Sequence, residues 1–417
     1  MRELPKKGTT TALAAVFLTT LPLVAAASPA AAAERPYSEQ CTFPNGKYPG
    51  RPWALQRVML DELWTQSKGK GVKVAVIDTG VDVKNPQLTG AVDAKAGKTF
   101  KPAVKGDDGK PLDWGNATGT TDTVGHGTKV AGIIAARPAE GTGFVGLAPE
   151  ATIIPLKQND AEGHGTPDTL ADAIVYAVRQ GAGVINISQD TTGARKPSDR
   201  LEQAVDNALA NGTVIVASAG NDGTGGNVKK TYPASYDGVL AVAASDRNNE
   251  RAAFSQSGDF VGVAAPGVDM ISTVPGGGHC SDNGTSFSAP YVAGVAALIK
   301  AKHPQWTARE VVAQIEQTAE RTIAGHDRLV GWGVVDPVRA LTEDDRPIES
   351  PSPDRGLSRA EAPTPAKFHA GETPGERGAR LATYVTVGAA VLVAGISGGA
   401  VAIRDARRRR ERVRGVA

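Results

Sequence analysis

Apolar residues in this chain come in short unbroken runs and in longer runs rich in Ala and Gly. Residues 72–77 (VKVAVI), 153–157 (IIPLK), 184–188 (VINIS) and 213–218 (TVIVAS) read as strands buried on both faces, the pattern of a parallel sheet. Residues 130–134 (VAGII) and 291–300 (YVAGVAALIK) are apolar nearly all round, as expected of helices inside a large core. Together they predict an α/β core. Residues 58–64 are amphipathic and precede the first strand. Residues 381–403 (LATYVTVGAAVLVAGISGGAVAI) carry no charge and are long enough to span a bilayer. Near the start, a mostly apolar stretch at 11–27 follows the basic residues Arg2, Lys6 and Lys7.

Three polar residues sit where these elements begin or end. Ser286 lies where the second helix starts, and Pro290 reads as a first-turn proline with no N–H to lose. A hydroxyl there faces free backbone N–H groups and the positive end of the helix dipole, both favourable to an oxyanion. Serine is a poor nucleophile unless a base takes its proton and a carboxylate orients that base. Asp78 ends the strand 72–77, at the carboxyl end where α/β proteins place site residues, and His126 opens the helical run that follows Gly125. Each residue alone has an ordinary reading as a turn or a helix start.

Taken together, VAVIDTG around Asp78, HGTKVAG from His126 and GTSFSAP around Ser286 resemble the subtilase family of serine proteases, in the chain order Asp, His, Ser. The resemblance covers roughly residues 55–341. It implies an α/β, doubly wound, mostly parallel sheet with helices on both faces, the subtilisin-like fold. It also implies Ser286 as nucleophile, His126 as base and then acid, and Asp78 as the group that holds the imidazole tautomer. Asn221, at the end of the run 213–221 (TVIVASAGN), would complete an oxyanion hole with the Ser286 backbone N–H. Ser188 and the stretch Ala217, Ser218, Ala219 and Gly220 would border the primary substrate pocket.

Two features qualify that picture. Gly163-His164-Gly165-Thr166 repeats the GHGT tetrapeptide, but polar residues follow it, so His164 is expected at the cleft edge or in solvent. After Ser188 the family usually continues Leu-Gly, whereas this chain has Gln189-Asp190-Thr191-Thr192-Gly193. The backbone there can still pair with an extended peptide, but the side chains should narrow or recharge the pocket. Restricted cleavage is expected rather than general digestion.

Composition and the chain ends set the surroundings. With 417 residues and 41% apolar content the chain can build a sizeable core, while 5% aromatic content argues against an aromatic-lined carbohydrate or nucleic-acid surface. Residues 1–33 read as a secretory signal ending in Ala31-Ala32-Ala33. Immediately after residues 381–403 come Arg404, Arg407, Arg408, Arg409, Arg410, Arg412 and Arg414, which by the positive-inside rule places the tail 404–417 in the cytoplasm. The whole chain carries +2, of which the tail holds +5 and residues 1–33 hold +2, leaving residues 34–403 at −5. Residues 342–380 are rich in Pro, Glu, Arg and Ser and read as a tether. Cys41 and Cys280 are the only cysteines, and an even pair in an exported protein suggests one disulfide. Intermolecular pairing and two free thiols are the alternatives. No metal site and no cofactor are expected.

The predicted layout is therefore a signal at 1–33, an extension at 34–70, a protease domain at 71–341, a Pro-rich linker at 342–380, a transmembrane helix at 381–403 and a basic tail at 404–417. This order resembles the mycosins, membrane-anchored subtilases associated with type VII secretion, in which the insertion 92–123 also has a counterpart. The extension would be a retained, stapled wrap rather than a removable pro-region. The resemblance implies a single-pass type I protein of the cell membrane with its protease domain outside. Its partners would be protein or peptide substrates and type VII membrane components, with no nucleic acid. A structural subunit of the secretion complex with minor proteolysis is the alternative.

Overall fold

The computed structural model describes residues 40–101, 114–160, 165–189, 198–225, 230–354 and 371–414. Residues 1–33, His164, and the stretch Asp190 to Gly193 lie outside the described residues. The described helices are α1 (Trp53–Gln56), α2 (Leu60–Gln66), α3 (His126–Ala135), α4 (Pro167–Arg179), α5 (Asp199–Ala210), α6 (Thr285–Lys302), α7 (Ala308–Thr318), α8 (Pro337–Thr342) and α9 (Pro374–Arg414). The strands are β1 (Lys73–Asp78), β2 (Lys98–Thr99), β3 (Thr152–Lys157), β4 (Val184–Ile187), β5 (Val214–Ser218), β6 (Leu240–Ser245), β7 (Val261–Pro266), β8 (Met270–Thr273) and β9 (His279–Asp282).

Strands β1 to β7 form one sheet in the order β2-β3-β1-β4-β5-β6-β7, every pair parallel. Their apolar runs are explained by burial on both faces. Val74 and Val76 of β1, Val214 and Val216 of β5, and Leu240 and Val242 of β6 join one core cluster, with α3 and α6. The intervening Ala75 and Ile77, Ile215 and Ala217, and Ala241 join the other, beneath α4 and α5. A period of two therefore splits each run between two apolar layers. The chain runs from β1 out to β2 and back through β3, then crosses to β4 on the other side of β1. Such a reversal opens a crevice at the carboxyl ends of the strands beside it, where Asp78 ends β1.

Helix α6 is buried from Thr285 to Ile299 except at Ser286, which is half-buried. It starts earlier than the sequence pattern indicated, so Pro290 stands inside the helix, beyond the first turn. With no N–H, Pro290 leaves the Ser286 carbonyl without its usual partner four residues on. β8 and β9 form a separate antiparallel hairpin that leads into α6.

The N-terminal segment is tied to that hairpin. Cys41 and Cys280 form a disulfide. Asn45 N–H donates to Gly277 O (3.1 Å), Asn45 Nδ2 to His279 O (2.9 Å), and His279 N–H to Gly46 O (3.1 Å). His279 is buried as a neutral imidazole: Nδ1 accepts from Tyr48 N–H (3.0 Å), and Nε2 faces Gln87 Oε1 (2.7 Å) as donor. Burial, with the nearby Lys47 charge, depresses its pKa to about 4 from the ordinary 6.5. The unfolded chain thus binds the extra proton first. Stability contributed by neutral His279 is present above pH 6.5 and is lost as pH falls through about 4. That loss should be on the order of 3 kcal/mol. Replacing His279 by Gln should flatten this part of the pH dependence, measured by denaturant unfolding of the full chain in detergent from pH 7 to pH 4.

Residues 356–417 form a second unit, which contains α9. Between Pro374 and Arg410 this helix is long and apolar enough to cross a membrane, its most apolar 18-residue window having a mean hydropathy of 2.0. Its Tyr384, Val385, Leu392 and Ile396 are all exposed, apolar surface that water does not favour.

Candidate active site

The site is built around the end of β1. Asp78 is buried, and its Oδ1 accepts from the Thr79 N–H (2.7 Å) and lies 2.8 Å from His126 Nδ1. This places the imidazole N–H at Nδ1 and leaves Nε2 as the free base. His126 can come so close because the next residue is Gly127: a Cβ there would sit 2.1 Å from Gly80 O and 3.1 Å from Asp78 Oδ1. Helix α3 therefore docks flush on the turn after β1.

Burial works against a charged His126. The Asp78 carboxylate, by charge and by hydrogen bond, outweighs it together with the charge of Asp122, so the pKa is held above 6.5. Asp122 was not anticipated from the sequence. It is buried and gathers five hydrogen bonds. Its Oδ1 accepts from Thr79 Oγ1 (2.9 Å), Val124 N–H (3.1 Å) and Gly125 N–H (2.8 Å). Its Oδ2 accepts from Thr128 N–H (2.9 Å) and Thr128 Oγ1 (2.6 Å). Gly125 at the helix cap has no side chain to satisfy these donors, so Asp122 caps α3 from outside and ties it to the β1 turn. Burial nevertheless pushes its own carboxyl up. The available signal was a carboxylate four residues before a helix-opening His.

Ser286 occupies the second position of α6, and the adjoining Phe287 ring lies 5.3 Å from the His126 ring. Among the described residues no hydrogen bond joins Ser286 Oγ to His126. Asn221 lies just beyond β5, partly in solvent, with its orientation set by Thr285. Asn221 Oδ1 accepts from both the Thr285 N–H and Thr285 Oγ1, each at 3.0 Å. Thr285 Oγ1 in turn accepts from Gly220 N–H (3.2 Å). With Oδ1 so occupied, Nδ2 is the end left to donate. A Cβ on Gly284 would stand 3.6 Å from Asn221 Nδ2 and 3.6 Å from Ser286 N, so the two donors flank one space. Thr285 sat inside the recognised heptapeptide, but a sequence shows no reason for it to grip an amide 64 positions upstream.

The remaining expected residues gather at the same end of the sheet. Ser188 follows β4, is buried and accepts from Asn186 Nδ2 (2.8 Å). Ala217 and Ser218 end β5, and Ala219 and Gly220 follow it; Ala217, Ser218 and Ala219 are buried. Gln189 bends back to hydrogen-bond Gln158 Oε1 through its side chain.

The chain matches the family model described as the subtilase family over residues 69–333. Among curated proteins it is 39% identical to subtilisin Savinase of Lederbergia lenta over 285 residues, 68% of this chain and 96% of that one. M-protease of Shouchella clausii is 40% identical over 285 residues, 68% of each chain. Among solved structures, MycP1 from Mycobacterium smegmatis superposes with a TM-score of 0.62 at 31% identity, covering 82% of this chain and 95% of that one. The MycP3 protease of the type VII (ESX-3) secretion system gives a TM-score of 0.62 at 34% identity, covering 71% and 89%.

Proposed function

Because the chain belongs to the subtilase family and is a serine endopeptidase, we propose that it cleaves peptide bonds through Asp78, His126 and Ser286, with Asn221 and the Ser286 N–H as the oxyanion donors. The observation that carries this reading is the 2.8 Å contact between Asp78 Oδ1 and His126 Nδ1 at the mouth of the crevice. Ser286 Oγ attacks the substrate carbonyl while His126 Nε2 takes its proton. Asp78 holds the Nδ1–H and steadies the imidazolium that results. The carbonyl oxygen, now an oxyanion, receives hydrogen bonds from Asn221 Nδ2 and Ser286 N–H, which are already oriented before reaction. His126 then protonates the leaving amine, and water, deprotonated by the same imidazole, releases the acyl group from Ser286.

Likeness to MycP1 and MycP3, whose structures are described as parts of type VII secretion systems, supports a role in such a system. We place the protease domain 71–341 outside the cell membrane, joined by the linker 342–380 to a spanning helix at 381–403. Restricted processing of secretion substrates suits Gln189 and the Asp190 that follows, where the family usually has Leu-Gly. The test is labelling of the full chain in detergent with a fluorophosphonate, beside its Ser286→Ala variant. Labelling of the wild type alone is expected. No labelling in either would favour the structural-subunit reading.

Asp122 touches no reacting atom in this scheme and acts as a positioning residue. Asp122→Asn keeps one acceptor oxygen where five donors now converge, so kcat should fall about ten- to a hundredfold as His126 loosens. Its charge helps raise the His126 pKa. The acid limb of kcat/KM should therefore lie above pH 6.5 in the wild type and move to lower pH in the variant. A purely structural role would leave that limb in place.

A further inference from the structure

The N-terminal strap reaches the site itself. Phe43 lies two residues after the disulfide-bonded Cys41. It packs edge-on against Gly125: a Cβ built on that glycine would come within 2.3 Å of the Phe43 Cζ and 2.6 Å of its Cε2. Gly125 has φ 83°, and directly precedes His126. Across from it, Lys129 Nζ stands 6.0 Å from the Phe43 ring centroid and 6.0 Å from that of Phe287. The same ammonium is paired with Asp282 Oδ2 at 2.8 Å, so its charge is already answered. Phe287 is buried against His126, whereas Phe43 is 39% exposed. Two aromatic rings thus border the His126 turn: Phe287 against the imidazole, and Phe43, borrowed from outside the core of the domain, against the glycine before it.

We infer that Phe43 forms part of the wall that receives the residue immediately after the cleaved bond, and that it favours an apolar side chain there. The inference rests on the serine-endopeptidase mechanism proposed above. In that mechanism the leaving amine takes its proton from His126, so the departing segment passes the groups packed beside that ring. Phe287 packs on that ring, Phe43 packs on the Gly125 that precedes it, and Lys129 lies between the two aromatic rings. An apolar side chain laid on Phe43 removes exposed ring surface from water, while the neutralised Lys129 offers an acidic side chain little. The strap thus supplies substrate selectivity from a segment that the sequence motifs of the domain do not include.

The test uses the acyl-enzyme run in the direction of amide formation. The full chain in detergent is given a peptide ester together with leucinamide or glycinamide. The amine nitrogen attacks the acyl carbon, the bond to Ser286 Oγ breaks, and His126 carries the proton from the amine to that oxygen. The ester's alcohol has left with a proton from His126, and the incoming amine takes the place that the amine of a cleaved peptide would occupy, so the ratio of amide to acid product reads that subsite alone. The wild type should prefer leucinamide, and Phe43→Ala should reduce this preference about tenfold. Phe43→Leu, which keeps an apolar group of similar reach, should fall between the two and covers the case in which the alanine variant fails to fold. An unchanged preference in a folded variant would overturn the inference, as would a change confined to the acyl-side residue of the ester. Failure of the wild type to hydrolyse the ester at all would instead overturn the mechanism on which it rests.

Discussion

Replacing Ser286 by Ala should lower kcat for peptide hydrolysis on the order of a million-fold, the scale on which subtilisin loses turnover when its nucleophile or its histidine is removed. His126→Ala should do nearly the same. Ser286 is half-buried and the His126 side chain is 28% exposed, so neither substitution leaves a large cavity and thermal unfolding should be little changed. The double variant should be scarcely worse than either single one, because nucleophile and base act as a unit. Initial rates on a quenched peptide, with acyl-enzyme burst amplitudes, would show this. More than trace turnover in a well-folded Ser286→Ala protein would mean that the nucleophile has been misassigned.

The second large effect is expected at Asn221. Asn221→Ala removes a donor whose bond strengthens as the oxyanion forms, and should cost about 100- to 1000-fold in kcat with little change in KM. Thr285 makes the prediction more specific. Thr285→Val keeps the shape but removes the hydroxyl bond to Asn221 Oδ1, leaving only the backbone bond to hold the amide. Its loss should be in the same parameter and smaller. A rise in KM at unchanged kcat for Asn221→Ala would mean that the amide binds substrate rather than the transition state.

Much of this site was legible because its chemistry lies at element ends that local sequence marks. Buried β-branched runs announced β1, β3, β4 and β5, and the residues proposed for catalysis follow at their carboxyl ends or open the glycine-flanked helices α3 and α6. Other parts carried no such mark. Strand β6 is Leu-Ala-Val-Ala-Ala-Ser, whose alanines have little strand preference and are held there by pairing with β5 and β7. The β8–β9 hairpin is half polar: Met270 and Ile271 join the core, while Ser272, Thr273 and His279 bond to α3 and to the strap. Ser272 Oγ, for example, donates to Lys129 O. The sequence pattern places Pro290 too near the helix start because the apolar run shows first at Tyr291, while the turn from Thr285 is polar or small apart from Phe287. Asp122 and Phe43 lie outside the recognised motifs and touch residues brought to them only by the fold, such as Thr79 for Asp122 and Gly125 for Phe43, and one sequence does not display those contacts.

The Cys41–Cys280 bond joins positions 239 residues apart. Asp78, His126 and Asn221 fall inside the ring of chain that it closes, and Ser286 just outside. A protease that lives among copies of itself is exposed to occasional nicking of its surface loops. Any single cut between residues 41 and 280 leaves both fragments on one covalent body. The nicked molecule can keep its parts in register, and the injury would be visible only after reduction.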